Sequence, residues 1–580
     1  MNKKYVLSII LFSFLWLCVC AQNIIIPFEK DTQSTATYTE MVRFYTQMSK
    51  KHGISRLYAS KIPTDAGKPL HLFVIDKNKY FSAEKSHQKG KLIVFINNGI
   101  HPGEPEGIDA SMLYIRDILE KDTLKNILDK VVLVFVPCFN VDGMLNRSTN
   151  FRVNQNGPKE CGFRGNAQNL DLNRDFIKAD AQNTRALIEF YQTWQPDILI
   201  DNHTSNGADY TYTLTYIPTQ KDKIHPILGT YLNSIFCPEL DKRLTKAGFE
   251  PCPYVNFRGK NPESGIIGYL ETPRYLSGYA ALFNTLSFIC ETQMWKPFPK
   301  RVKATYQFMH QTILLGVNQL NKIKKFRKEA IFQTTTQRDF PLQWKLDTTK
   351  VDSILFKGYE TSTYTSKISG LEHYFYDVTK PYQKKIPFYN TYYAPVIMNA
   401  PVAYIIPQAW KRVIERLQWS NISLQTLPKD TLIEVFCYYI HEYKTSKNPY
   451  EGHYSHYDVK TEKKTSKVQL YAGDYVCFVN QPQNRYIVET LEPQAVDSFF
   501  SWGFFDSILQ QKEYFSSYMF EKTAEELLLK YPDIKEKLEQ EKKNNPSVQA
   551  NHYEQLDFIY KLSPYYEPTY SMYRVYRIER

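Results

Sequence analysis

A histidine and a glutamate three residues apart, His101 and Glu104, lie in the stretch Asn97-Asn98-Gly99-Ile100-His101-Pro102-Gly103-Glu104-Pro105-Glu106-Gly107. Hydrolytic zinc takes imidazole nitrogen and carboxylate oxygen as ligands and keeps one position open for water. This pair could supply two of the three protein ligands. A third is His203 in Asp197-Ile198-Leu199-Ile200-Asp201-Asn202-His203, at the carboxyl end of an apolar run. Open α/β sheets place ligand-binding groups at such ends. Taken singly, each has a plain structural alternative, a solvated turn histidine or a capped strand end. Together they form a His, Glu, His set.

Asn169-Leu170-Asp171-Leu172-Asn173-Arg174 adds an amide and a guanidinium side by side, the pair that grips a carboxylate. Asp171 is placed to orient a metal-bound histidine from behind. Arg152 offers a further cation. Glu291, in Ser287-Phe288-Ile289-Cys290-Glu291-Thr292, ends another apolar run. A carboxylate there suits a general base acting on zinc-bound water. Glu271 competes for that role from a more loop-like context, and Glu291 is preferred.

The elements that must position these groups are readable as well. Short apolar runs at Lys91–Asn97, Val131–Val136, Asp197–Asp201, Tyr210–Ile217 and Leu286–Cys290 read as buried strands. Gly107–Leu128, Ala181–Trp194 and Val302–Lys325 carry apolar residues at helical spacing. Such alternation predicts a layered α/β domain with a largely parallel sheet. After about residue 335 the texture changes to Tyr-rich alternating segments, Tyr389–Ile406, Thr431–Tyr443 and Val468–Val479, which read as antiparallel strands. A polar helix is expected over Lys522–Lys543. The division is therefore 22–334 as a catalytic domain and 335–580 as a β-rich or mixed accessory region of one or two domains.

In this order, the HPGEPEG, NVDG, DLNRDF, IDNH and ICET pieces resemble the zinc metallocarboxypeptidase family, over about residues 35–325. The resemblance implies a three-layer α/β/α fold with a mixed eight-stranded sheet and one catalytic zinc at the strands' carboxyl ends. By motif, His101, Glu104 and His203 would bind the zinc, and Glu291 would act as base and then acid. Arg152 would polarise the scissile carbonyl and stabilise the oxyanion, with Arg164 its rival across the insertion 158–165. Asn173 and Arg174 would hold the substrate's terminal carboxylate, with Asp171 behind His101. The family's mobile tyrosine falls among Tyr269, Tyr275 and Tyr279, of which Tyr269 has the most suitable spacing before Glu291. The implied substrate is a peptide with a free C-terminal carboxylate. Cell-wall peptide stems or N-acyl amino acids would use the same residues, and a binding protein with a degenerate site would lack one.

The rest of the sequence bounds the setting. Lys3 and Lys4, the apolar stretch Tyr5–Val19 and Val19-Cys20-Ala21 read as a signal sequence, residues 1–21, predicting export to the periplasm or beyond. No other segment is apolar enough to cross a bilayer. Removing Lys3 and Lys4 reduces the net charge of +12 to +10 over a long chain, which gives nucleic-acid binding no support. The basic run Lys322–Arg327 reads as a solvated face. Seven cysteines remain without a CxxC pair. Cys138, Cys290 and Cys437 read as buried thiols, and Cys237 with Cys252 as a possible bridge. His441, Glu442, His453 and His456 fit no ligand spacing and read as a solvated loop. The aromatic tract Glu489–Phe505 reads as packing between segments.

Overall fold

The structure, a computed structural model, describes residues 25–579 apart from residues 206 and 260. The expected signal sequence lies outside the described residues. Eight strands form the main sheet: β1 Ser55–Pro63, β2 Pro69–Ile75, β3 Leu92–Asn98, β4 Val131–Val136, β5 Ile198–Ser205, β6 Leu214–Pro218, β7 Pro251–Pro253 and β8 Leu286–Gln293. Their spatial order is β1-β2-β4-β3-β5-β8-β6-β7. The central neighbours β4, β3, β5 and β8 run parallel, β1 and β2 run against their neighbours, and β6 is antiparallel to β8 but parallel to β7. The sheet is therefore mixed.

Alternate residues of each central strand face opposite layers, because side chains on a strand have period two. Leu92, Val94, Ile96, Ile198 and Ile200 pack under the helices Tyr38–Lys51, Glu106–Glu120 and Phe298–Asn318. Ile93, Phe95, Val132, Val134 and Leu199 pack under Gln182–Trp194. With both faces covered these strands have no polar face to show, which is why they read as unbroken apolar runs. At Gly107, where the helix after β3 starts, a Cβ would lie 2.5 Å from the Asn202 side chain, so only glycine permits that approach.

The second core layer does not stop at residue 335. Phe340, Tyr404, Trp502 and Tyr573 belong to the same apolar cluster as Phe95, Leu199 and Tyr279. The accessory region contains a long hairpin, Asp352–Thr365 with Glu372–Tyr389, and a six-stranded sheet. That sheet runs Gln425–Thr426, Tyr475–Phe478, Ala403–Ile406, Tyr576–Ile578, Thr431–Thr445, His456–Leu470. A small helical unit, Ser517–Lys530, Pro532–Asn544, Pro546–Ala550 and His552–Leu562, has its own core around Phe520, Leu527 and Ile559.

Several sequence readings are corrected. The helix expected over Lys522–Lys543 is two helices, because Pro532 cannot continue the first and opens the second. Val468–Val479 is interrupted after Leu470 by a turn with Gly473 at φ +96°. In the basic run, Lys324 and Arg327 face inward and bind Asp197 at 2.6 and 2.8 Å. Cys237 and Cys252 are both free, and Cys138, Cys290 and Cys437 are buried thiols. His453 and His456 are not in a solvated loop: they pair with Asp180 and Asp506 at 2.6 and 3.0 Å.

Candidate metal centre and carboxylate clamp

The carboxyl ends of β3, β5 and β8 converge. β3 delivers the loop carrying His101 and Glu104, and β5 carries His203. On β8, Glu291 is the register partner of His203, which puts the two side chains on one face. His101, Glu104 and His203 each offer a donor atom, and these atoms lie within 4.8 Å of one another. His101 Nδ1 is 3.3 Å from Glu104 Oε1, and His203 Nδ1 is 3.0 Å from Glu104 Oε2. All three residues are buried.

Each imidazole has a carboxylate at its other nitrogen. His101 Nε2 is 3.0 Å from Asp171 Oδ1, and His203 Nε2 is 3.0 Å from Asp201 Oδ2. Such partners fix the ring and turn Nδ1 inward. Asp201 is a residue the sequence reading missed. Its signal was present, since a residue two before His203 on a strand shares its face. Asp201 is itself held by Asn97 Nδ2 at 2.8 Å. Glu106 supports the loop from below, accepting from Thr204 Oγ1 at 2.5 Å and pairing with Arg301 at 3.1 Å.

The electrostatics suit a cation. Burial alone would raise the Glu104 carboxyl, but Arg152 and the two histidines hold it well below its ordinary range. Burial would likewise raise Asp171, and His101, Arg164 and Arg174 outweigh it. His203 is raised well above its ordinary value: burial opposes this and Asp201 overcomes it. Burial pushes Glu291 up to about 8, against the pull of His203. The Nδ1 of His101 is buried without a hydrogen-bond partner, which two nitrogens and a carboxylate around a zinc ion would resolve. The donor set fits that metal.

Beside this cluster is a cavity of about 210 Å3, lined by Arg152, Arg164, Asn173, Arg174, Tyr254, Tyr269, Tyr275 and Glu291 among others. Arg152 pairs with Glu104 at 3.0 Å, while Arg164 grips Asp171 at 2.8 Å. Asn173 lines the cavity and uses its Oδ1 to accept from the Leu276 N–H at 3.2 Å. Arg174 lies 4.3 Å from the centre of the Tyr275 ring. Tyr269 and Tyr275 share a hydroxyl contact of 2.9 Å, and Tyr254 packs edge-on against Tyr269. Tyr279 is fully buried against Gln192 and Ser420, away from the cavity. Glu271 is buried beside Lys223, also off the cavity, and Arg274 is paired with Asp497 at 2.7 Å.

A family profile for zinc carboxypeptidases matches residues 41–229. The chain carries a zinc carboxypeptidase domain. This carboxypeptidase is a hydrolase and a zinc enzyme. It is similar to carboxypeptidase 2 of Trichophyton equinum, 22% identical over 446 residues, covering 73% of this chain and 77% of the relative. Probable carboxypeptidase 2 of Arthroderma benhamiae is 21% identical over 500 residues, covering 81% of this chain and 86% of the relative. That coverage is more than the residues up to 336 could supply alone, so it takes in part of the accessory region. Among solved structures, a metallo-carboxypeptidase from Pseudomonas aeruginosa aligns with TM-score 0.37 and 17% identity, over 49% of this carboxypeptidase and 70% of that chain. Carboxypeptidase A from Helicoverpa armigera aligns with TM-score 0.36 and 14% identity, over 50% and 75%. No helix among the described residues of the carboxypeptidase is long and apolar enough to cross a membrane.

Proposed function

We propose that this carboxypeptidase is exported and removes single residues from peptides with a free C-terminal carboxylate, with Glu291 as proton carrier. One observation carries the reading: three metal donors, a buried carboxyl and an Asn–Arg pair face one cavity. His101, Glu104 and His203 would hold the zinc, and Asp171 and Asp201 keep the two imidazoles in register. Zinc held there supplies Lewis acidity toward a carbonyl and toward water. Asn173 and Arg174 anchor the substrate's terminal carboxylate, which orients the last peptide bond toward Glu291. Glu291 takes a proton from the attacking water and returns it to the departing nitrogen. Burial, which raises its carboxyl, favours holding the proton until the nitrogen departs. Arg152, at the cavity wall, offers its charge to the oxyanion as it forms. Tyr269 is proposed to close over the bound residue. Export rests on residues 1–21, and residues 22–334 form the catalytic unit with 335–580 as accessory region.

The test uses a mixed peptide set, free or amidated at the C-terminus, with and without a zinc chelator, with products read by mass spectrometry. Stepwise, chelator-sensitive loss of single residues from free ends alone is expected. Intact peptides with zinc bound would overturn the peptide reading in favour of cell-wall stems or N-acyl amino acids.

A further inference from the structure

A turn of the accessory region, residues 450–453, between the long strands Thr431–Thr445 and His456–Leu470, touches the segment that carries Asp171 and Arg174. Tyr450 and His453 exchange backbone hydrogen bonds of 2.7 and 3.1 Å across it. Glu451 and Gly452 both have positive φ, +50° and +80°, as tight hairpin turns of the primed type require. A charged residue in that conformation is strained unless its surroundings hold it. Here they do: the Asp171 N–H donates to Glu451 Oε2 at 2.7 Å. Arg174 Nε donates to the Tyr450 hydroxyl at 3.0 Å, and His453 faces Asp180 at 2.6 Å. The Tyr450 ring stacks on the buried Trp502 at 6.2 Å between centroids and 16° between planes.

The contacts fall on the segment that carries the clamp. Asp171 caps the short turn Leu172–Arg174, and Glu451 in turn holds the Asp171 backbone. Arg174 is fixed on several sides: Nε by Tyr450, Nη1 by the Asn173 carbonyl at 2.8 Å, and its face by Tyr275. Among the described residues, Nη2 has no hydrogen-bond partner, which leaves that edge for an incoming carboxylate. A long arginine side chain held in one orientation loses less freedom when it binds.

We infer that Tyr450 is a positioning residue for substrate binding: the accessory turn presets the Arg174 guanidinium. This rests on the reading of Arg174 as the carboxylate anchor, and the experiment separates the two. Tyr450→Phe keeps the ring on Trp502 and removes one oxygen. With full zinc content, its KM for a free-ended peptide is expected to rise about tenfold, the worth of a hydrogen bond to a charged group. Its kcat should stay within about twofold, a split that general loosening of the fold would not produce. In an Arg174→Ala background the same change should add nothing. An unchanged KM in Tyr450→Phe, with a raised KM in Arg174→Ala, would overturn the positioning role and leave the anchor standing. An unchanged KM in Arg174→Ala would remove the anchor itself, and an additive rise in the double variant would show Tyr450 acting elsewhere.

Discussion

His203 and His453 both face carboxylates, at 3.0 and 2.6 Å, yet their surroundings differ in kind. His203 has a carboxylate at each nitrogen, and one of these, Glu104, is shared with a second histidine. His453 has one carboxylate and otherwise aromatic neighbours, Trp502 at 5.8 Å and Phe504 at 6.3 Å. The first arrangement brings donor atoms together around a point, and the second spreads contacts over a surface. Convergence marks a metal site. A histidine with one partner and two rings against it is a strut between the halves of the molecule.

That contrast can be broken by mutation. His203→Ala should lose tightly bound zinc and reduce turnover to background, whereas full metal content by mass spectrometry would remove His203 from the ligand set. Glu291→Gln should keep its zinc and lose about 10²- to 10⁴-fold in kcat, the usual worth of a positioned base. Near-normal turnover there would assign proton transfer to another group. Asp201→Asn should weaken zinc about 10- to 100-fold in a chelator competition, since it leaves the ligand in place and alters only its support. His453→Ala sharpens the other side: zinc content and kcat should hold while unfolding in urea shifts to lower concentration.

The smallest effect concerns pH. Burial alone would raise Asp180, but His453, Lys178 and Arg416 hold it at about 2, below its ordinary 3.8. A depressed carboxyl stabilises the fold above its unfolded pKa, so this contribution is present at neutral pH. It is on the order of 2 kcal/mol and is lost as pH falls from about 4 through 2. His453→Ala should flatten that part of the acid-unfolding curve, and an unchanged curve would show that His453 does not hold the Asp180 carboxyl down.

The site was legible because its residues stand where the chain leaves buried strands. His101, His203 and Glu291 each follow an apolar run whose two covered faces leave no other pattern. The clamp's outer support was not legible. Tyr450 and Glu451 lie some 280 residues beyond the groups they touch, and their local sequence, Asn448-Pro449-Tyr450-Glu451-Gly452, reads only as a turn. The aromatic tract around Phe499 and Trp502 is core, as packing demands, but its partners come from both halves of the chain. Lys324 and Arg327 read as surface because nothing near them in sequence announces Asp197.

Tyr576–Ile578 lies in the interior of the six-stranded sheet, bonded to Ala403–Ile406 on one side and meeting Thr431–Thr445 on the other. Arg577 is buried there against Glu492. During synthesis this strand emerges long after its neighbours, so two edges wait unpaired until it arrives. Exposed edges are where nascent chains pair wrongly, and contacts this distant in sequence are slow to form. The same sheet supplies the hairpin that touches Arg174. The contact between Tyr450 and Arg174 is therefore tied to a sheet that closes only when a strand far downstream in the chain arrives.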